Sequence, residues 1–120
     1  MKVLVIDDDA DVRFVAAMSL RAGGAIEVVE ASGGIDGIRK AREETPDVIL
    51  LDMMMPMMDG AQTLAALRMQ SETSTTPVIF LTAKTMAAEI QRMKDLGAAG
   101  VLIKPFDPRT LAANVLALVP

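Results

Sequence analysis

The sequence predicts an α/β fold, in which a doubly wound five-stranded parallel sheet carries helices on both faces. Five short apolar runs alternate with five segments of helical spacing along 120 residues, which is the pattern of such folds. The runs are almost continuously apolar, as strands buried on both faces are. Four of them end in charged or hydroxyl residues. Such residues line the crevice at the carboxyl ends of the strands in open α/β sheets.

The strand candidates are the apolar runs bounded by polar residues. They lie at residues 2–6, 26–30, 48–52, 78–82 and 101–104. Because a helical segment follows every run, the connections are expected to be right-handed crossovers between parallel strands. We predict the strand order 2-1-3-4-5, which reverses between the first and third strands and opens a crevice there.

The first two helices are predicted from apolar residues that share one helical face. In the first helix these residues are Val12, Val15, Ala16 and Leu20. Gly23 and Gly24 then offer a left-handed stop. In the second helix, which ends ahead of Thr45, they are Ile35, Ile38 and Ala41.

The last three helices follow the same spacing. Their apolar residues are Leu64 and Leu67 in the third, Ile90, Met93 and Leu96 in the fourth, and Leu111, Val115 and Leu118 in the fifth. A polar stretch at 71–76 closes the third helix, and Gly97 ends the fourth. Asp107 followed by Pro108 matches an N-cap and a first-turn proline, which predicts that the fifth helix begins there.

Composition argues against several functions. A net charge of −4 without a basic stripe argues against direct binding to nucleic acid. No segment is apolar for long enough to span a membrane. The chain has no His and no Cys, so it lacks imidazole bases, thiolates and zinc–sulfur sites.

The length of the chain suits a single domain over residues 1–120. Its start directly in a strand predicts a cytoplasmic protein.

Carboxylates follow two strands that should be neighbours in the sheet. Asp7 and Asp8 end the first strand and Asp52 ends the third. Neighbouring strands lie about 4.8 Å apart, so these side chains should meet and repel one another unless a cation intervenes. Oxygen ligands favour Mg²⁺ or Mn²⁺. Lys104 and Thr82, at the ends of the fifth and fourth strands, can reach the same crevice.

This set of groups suits phosphoryl transfer. A divalent cation and an ammonium both neutralise phosphoryl oxygens. A carboxylate can act as the nucleophile and form an acyl phosphate, and Asp52 is the candidate because it stands alone opposite the acidic pair. Since the chain has no His, the phosphoryl group must come from another molecule.

Four motifs in this order resemble the receiver domain of bacterial two-component response regulators. They are VLVIDD at 3–8, DMMMPMMDG at 52–60, LTA at 81–83 and KPF at 104–106, and the resemblance covers essentially the whole chain. It implies a flavodoxin-like fold and a phosphorylation-dependent signalling function. It also implies that Asp52 accepts phosphate from a histidine kinase or histidine phosphotransfer protein and that a downstream effector reads the result.

The resemblance also implies roles for the remaining site residues. Mg²⁺ would be held by Asp8, Asp52 and the backbone carbonyl of Met54, with Asp7 acting largely through water. Lys104 would pair with the phosphoryl oxygens, and its bond to Pro105 would be cis.

Signalling would begin at Thr82, which would move inward to the phosphoryl group. The responsive surface would comprise the fourth helix, fifth strand and fifth helix, including residues 84–89. Many receivers carry an aromatic residue where this chain has Val101, so the chain lacks the aromatic partner of a paired threonine and aromatic switch.

Two other functions remain open from the sequence. A hydrolase acting on phosphate esters through Asp52 would share the chemistry, but Met54 stands where its general acid is expected and no cap domain is present. A degenerate receiver that acts only as a protein-interaction module is the other alternative.

Overall fold

The computed structural model describes all 120 residues, which form one five-stranded parallel sheet and five helices. The strands are β1 (Lys2–Ile6), β2 (Glu27–Ala31), β3 (Val48–Asp52), β4 (Val78–Thr82) and β5 (Gly100–Ile103). The helices are α1 (Ala10–Arg21), α2 (Gly34–Glu44), α3 (Gly60–Arg68), α4 (Ala87–Asp95) and α5 (Leu111–Leu118). The strand order is β2-β1-β3-β4-β5, as predicted. None of the helices is both long and apolar enough to cross a membrane.

Two hydrophobic clusters lie on opposite faces of the sheet. Val3 and Val5 of β1 belong to the cluster that includes residues of α1 and α5. Leu4 and Ile6 belong to the other cluster, which includes residues of α2, α3 and α4. Successive residues of a strand point to opposite faces, so a continuous apolar run supplies both clusters. The prediction of helices on both faces is confirmed.

The register of the sheet brings the strand ends level with one another. Ile6 of β1 pairs with Leu51 of β3, so Asp7 and Asp52 follow as neighbours. Thr82 of β4 pairs with Ile103 of β5, so Lys104 comes one residue beyond Thr82. All four side chains therefore begin at the same edge of the sheet.

The predicted helical face of α1 is confirmed in its inward direction, whereas that of α2 was partly wrong. The buried residues of α1 are Ala16, Ala17 and Leu20, while Val12 and Val15 are only partly buried. In α2, Ile35 is 69% exposed, and the helix turns Gly34, Gly37 and Ala41 toward the interior instead. A Cβ added to Gly37 would lie 2.5 Å from Ile6 Cδ1, so the Ile6 side chain would have to shift to admit a larger residue.

Four further details also differ from prediction, three of them near the carboxyl terminus and one at β2. Leu96 follows α4 and is 44% exposed, so it does not belong to the buried face. The fifth helix begins at Leu111, since Asp107 caps a separate turn in which Thr110 N–H donates to the Asp107 carbonyl at 3.1 Å. Strands β2 and β5 are displaced by one residue from the predicted ranges.

Candidate functional site

Three carboxylates converge where β1 and β3 end. Oxygens of Asp7, Asp8 and Asp52 lie within 4.8 Å of one another. Asp7 is fully buried and Asp52 is 4% exposed, whereas Asp8 is exposed. The cluster thus has a buried floor and one side open to solvent.

The ammonium of Lys104 joins two of these carboxylates. Lys104 Nζ lies 2.7 Å from Asp7 Oδ2 and 3.1 Å from Asp52 Oδ1. The backbone fixes the direction of the lysine, because Lys104 N–H donates to the Thr82 carbonyl at 2.7 Å. The peptide bond between Lys104 and Pro105 is cis, as predicted.

Burial and charge act together on the protonation of this cluster. Burial, and then the neighbouring charge of Asp7, raise the pKa of Asp52 from 3.8 to about 6, although Lys104 opposes the rise. Burial alone would lower the pKa of Lys104, but its contacts with Asp7 and Asp52 outweigh this effect and hold that pKa above its usual value. A single cation therefore does not fully compensate the buried carboxylates.

The start of α1 holds the acidic loop in place. Asp9 is the N-cap, and its side chain accepts hydrogen bonds from Asp11 N–H at 2.9 Å and Val12 N–H at 3.3 Å. Asp9 N–H donates in turn to Asp7 Oδ1 at 2.9 Å. Asp7 is therefore oriented by a short-range bond on one oxygen and by Lys104 on the other.

The loop after β3 is folded tightly behind Asp52. Met54 N–H donates to Asp52 Oδ1 at 3.3 Å. Gly60 N–H donates to the Met53 carbonyl at 2.9 Å, and a Cβ at Gly60 would lie 2.7 Å from Met53 Cα. Asp59 and Gln62 form a capping box that starts α3 at this point. The close approach explains why glycine follows Asp59.

Thr82 is buried at the end of β4. Its Oγ1 accepts a hydrogen bond from Lys84 N–H at 3.0 Å. Lys84 Nζ forms an ion pair with Glu89 of α4 at 3.6 Å, which links the β4–α4 loop to the helix. Val101 of β5 pairs with Phe80 of β4 and packs, partly buried, against the cluster that includes α2, α3 and α4.

Sequence reasoning missed Arg13. Its Nη1 donates to the Asp7 carbonyl at 2.7 Å, and its Nε lies 3.6 Å from Glu30. The sequence does contain a signal for Arg13, which is the first residue of an i, i+3, i+4, i+7 pattern. It lies on the same helical face as buried Ala16, Ala17 and Leu20. Because Arg13 is charged, it does not belong to the apolar pattern by which α1 is predicted.

The donors present fit a hard divalent cation. Three carboxylates supply oxygen ligands only, and exposed Asp8 leaves a side open to water. Octahedral ligands at about 2.1 Å from Mg²⁺ lie roughly 3–4 Å apart, so the observed spread needs only a small contraction. Met54, the fourth predicted ligand residue, lies in the loop that follows Asp52 and is 65% exposed.

The chain is similar to known proteins over nearly its whole length. The family profile described as the response regulator receiver domain matches residues 3–116. A solved structure of the chemotaxis response regulator CheY4 of Vibrio cholerae is 37% identical, with a TM-score of 0.91 and 98% of each chain covered.

Two curated relatives differ in how much of their length the chain covers. The chain is 36% identical to the alkaline phosphatase synthesis transcriptional regulatory protein PhoP of Bacillus subtilis, covering 98% of the chain and 48% of that protein. It is 35% identical to protein PilH of Pseudomonas aeruginosa, covering 98% of the chain and 97% of PilH. The chain thus spans about half the length of some relatives and nearly all of others.

Proposed function

Since the chain belongs to the response regulator receiver domain family, we propose that it accepts a phosphoryl group on Asp52 from a phosphohistidine partner, in a Mg²⁺-dependent reaction. The observation that carries this proposal is the convergence of Asp7, Asp8, Asp52 and Lys104 at one edge of the sheet. The chain is a signalling module whose chemistry is its own phosphorylation.

The nucleophile in this proposal is the second carboxylate oxygen of Asp52. Lys104 and Met54 N–H both contact Oδ1, which leaves Oδ2 as the oxygen that attacks phosphorus. A bond from phosphorus to Oδ2 forms while the bond to the donor's imidazole nitrogen breaks, and the leaving imidazole takes up a proton from solvent. The attacking carboxylate must be ionised, and neighbouring positive charge favours that form.

The cation is assigned to Asp7, Asp8 and Asp52, together with the backbone carbonyl of Met54. Asp8 and Asp52 would bind directly and Asp7 largely through water. Bound Mg²⁺ would neutralise these carboxylates and the incoming phosphoryl oxygens. Mn²⁺ prefers the same oxygen donors and should substitute.

Lys104 and Thr82 complete the proposed site. The ammonium of Lys104 already lies beside Asp52 and would turn toward the new phosphoryl oxygens, where its single positive charge offsets part of their roughly two negative charges. Thr82 would exchange its bond with Lys84 N–H for one in which its hydroxyl donates to the phosphoryl group.

The output is proposed to pass through α4, β5 and α5. Release of Lys84 N–H from Thr82 would free the β4–α4 loop, and the ion pair between Lys84 and Glu89 would carry the movement into α4. Val101 has no aromatic ring that could rotate together with Thr82, so we assign the response to the β4–α4 loop and α4. A downstream effector protein or domain would bind this surface.

The experiment that tests the proposal is intact mass spectrometry after incubation with acetyl phosphate and Mg²⁺. One added phosphoryl group, mapped to the peptide that contains Asp52, is the expected result. Sustained release of phosphate from a phosphate ester would instead indicate a hydrolase. A chain that binds partners without ever being labelled would be the degenerate interaction module.

A further inference from the structure

The carbonyl of Asp7 is held by a side chain that the proposed chemistry does not use. Arg13 Nη1 donates to this carbonyl at 2.7 Å, and the Arg13 side chain is only 19% exposed. The carbonyl belongs to the peptide unit between Asp7 and Asp8. Because a peptide unit is planar, its orientation constrains the backbone at both residues. The hydrogen bond from Arg13 therefore constrains the backbone of both Asp7 and Asp8, which carry two of the three clustered carboxylates.

Other bonds around Asp7 leave this carbonyl dependent on Arg13. Asp7 N–H continues the sheet ladder to the Ala31 carbonyl at 3.2 Å, while the two carboxylate oxygens of Asp7 are bonded to Asp9 N–H and to Lys104. The carbonyl lies beyond the last residue of β1, where the chain leaves the sheet. A buried carbonyl without a donor is costly, so without Arg13 the peptide unit would turn to find water.

Arg13 is itself anchored from the neighbouring strand. Its Nε lies 3.6 Å from Glu30 Oε1, and Glu30 belongs to β2. The guanidinium therefore spans from α1 to β2 across the end of β1. A planar group with several fixed donors is well suited to holding a carbonyl and a carboxylate at once.

We infer that Arg13 is a positioning residue for the cation site, which fixes the Asp7–Asp8 peptide so that both carboxylates face the crevice. The inference rests on the proposed function, which places Mg²⁺ at these carboxylates. Arg13 touches neither the cation nor the phosphoryl group in this account. Its effect passes through the backbone of the ligands.

Electrostatics and positioning predict opposite outcomes when Arg13 is removed. Removing a positive charge near the site lowers its repulsion of Mg²⁺, so a purely electrostatic effect would strengthen Mg²⁺ binding. Loss of positioning would weaken binding, because the ligands would have to be ordered by the cation itself. The direction in which the Mg²⁺ affinity changes therefore distinguishes an electrostatic effect of Arg13 from a positioning effect.

The test is a calorimetric titration of the whole chain with MgCl₂, without any phosphodonor. Arg13→Met is expected to lose roughly tenfold in Mg²⁺ affinity, the size of effect found for residues that orient metal ligands. Arg21→Met is the matched control. Arg21 also lies on α1, approaches Glu30 at 4.0 Å and donates to the Val28 carbonyl at 3.0 Å, away from the acidic cluster. Arg21→Met should bind Mg²⁺ with the affinity of the wild type.

Arg13→Lys keeps the charge with a less rigid donor, and its affinity should fall between those of the wild type and Arg13→Met. It also carries the test if Arg13→Met does not fold. Labelling by acetyl phosphate should be slow in Arg13→Met at low Mg²⁺ and should recover at saturating Mg²⁺, as expected for a residue that only positions ligands.

Unchanged or tighter Mg²⁺ binding in Arg13→Met and Arg13→Lys would overturn this inference and leave the proposed function standing. A wild type that binds no Mg²⁺ would overturn both.

Discussion

Lys104 and Asp7, which are 97 positions apart in the sequence, form the shortest ion pair of the site, with 2.7 Å between Nζ and Oδ2. The same ammonium reaches Asp52 at 3.1 Å. Lys104 therefore compensates part of the buried negative charge before any phosphoryl group arrives. In the proposed reaction it must transfer part of this contact to the phosphoryl oxygens. The stability of the chain and its chemistry are coupled through one side chain.

Removal of the Lys104 ammonium should destabilise the metal-free protein. Lys104→Ala leaves Asp7 and Asp52 buried without their cation, and because Lys104 is 21% exposed we expect a loss of about 1–3 kcal/mol. Urea unfolding in EDTA measures the loss, and added Mg²⁺ should recover part of it. Lys84→Ala is the matched control, since the Lys84–Glu89 pair is largely exposed and should contribute little. Equal effects of the two substitutions would contradict this prediction.

Neutralising Asp52 should stabilise the metal-free protein at high pH. The folded pKa of about 6 lies above the ordinary 3.8, so the folded chain binds this proton more tightly than the unfolded chain does. Wild-type stability should therefore fall as the pH rises through about 6. Asp52→Asn removes the buried charge and should be more stable at pH ~8 by about 1–3 kcal/mol, a difference that shrinks toward pH ~4.

Urea unfolding in EDTA across this pH range measures the effect. Asp95→Asn, at an exposed carboxyl on α4, should show no comparable difference. A pH-independent gap between Asp52→Asn and wild type would argue against a raised pKa at Asp52.

Adding a methyl group at Gly60 should disturb the loop behind Asp52. A Cβ there would lie 2.7 Å from Met53 Cα and 2.8 Å from the Asp52 carbonyl, so backbone must move. We expect Gly60→Ala to cost about 1–3 kcal/mol and to slow labelling by acetyl phosphate. Gly23→Ala is the control, since a Cβ at Gly23 meets nothing within 4 Å. The prediction fails if Gly60→Ala and Gly23→Ala both keep the wild-type free energy of unfolding and the wild-type rate of labelling.

Removing the Thr82 hydroxyl should separate phosphorylation from its response. Thr82→Ala should still be labelled at Asp52, because the hydroxyl is not the nucleophile. The amide NMR shifts that phosphorylation produces at residues 84–89 should be much smaller in this variant, since the bond from Lys84 N–H to Thr82 Oγ1 is already lost. Thr82→Ser keeps a hydroxyl and should retain the response. Amide shifts of wild-type size at residues 84–89 in Thr82→Ala would show that the Thr82 hydroxyl does not transmit the signal.

Strand positions and the acidic cluster could be predicted because both depend on local sequence. A continuous apolar run specifies a buried parallel strand, and a parallel sheet places the residues after Ile6 and Leu51 side by side. Alternation with helices predicts a doubly wound parallel sheet, and 2-1-3-4-5 is one of the two common strand orders of such sheets. These features need no knowledge of individual side-chain contacts.

The errors arose where tertiary contacts outweigh local pattern. Ile35 fitted an apolar face, but the buried face of α2 uses Gly34 and Gly37 to approach its neighbours closely, which hydrophobicity does not indicate. Asp107 does cap a turn, but the turn ends before α5 begins. Arg13 acts through a bond to the end of β1, which only the folded structure reveals.

The most direct test of the central claim is the intact mass of the protein after incubation with acetyl phosphate and Mg²⁺. Wild type, Asp52→Asn and a sample with excess EDTA would be compared, with Asp95→Asn as a control for the loss of a carboxyl group. One added phosphoryl group is expected in wild type and Asp95→Asn, and none in Asp52→Asn or with EDTA. Labelling of Asp52→Asn equal to that of wild type would contradict it.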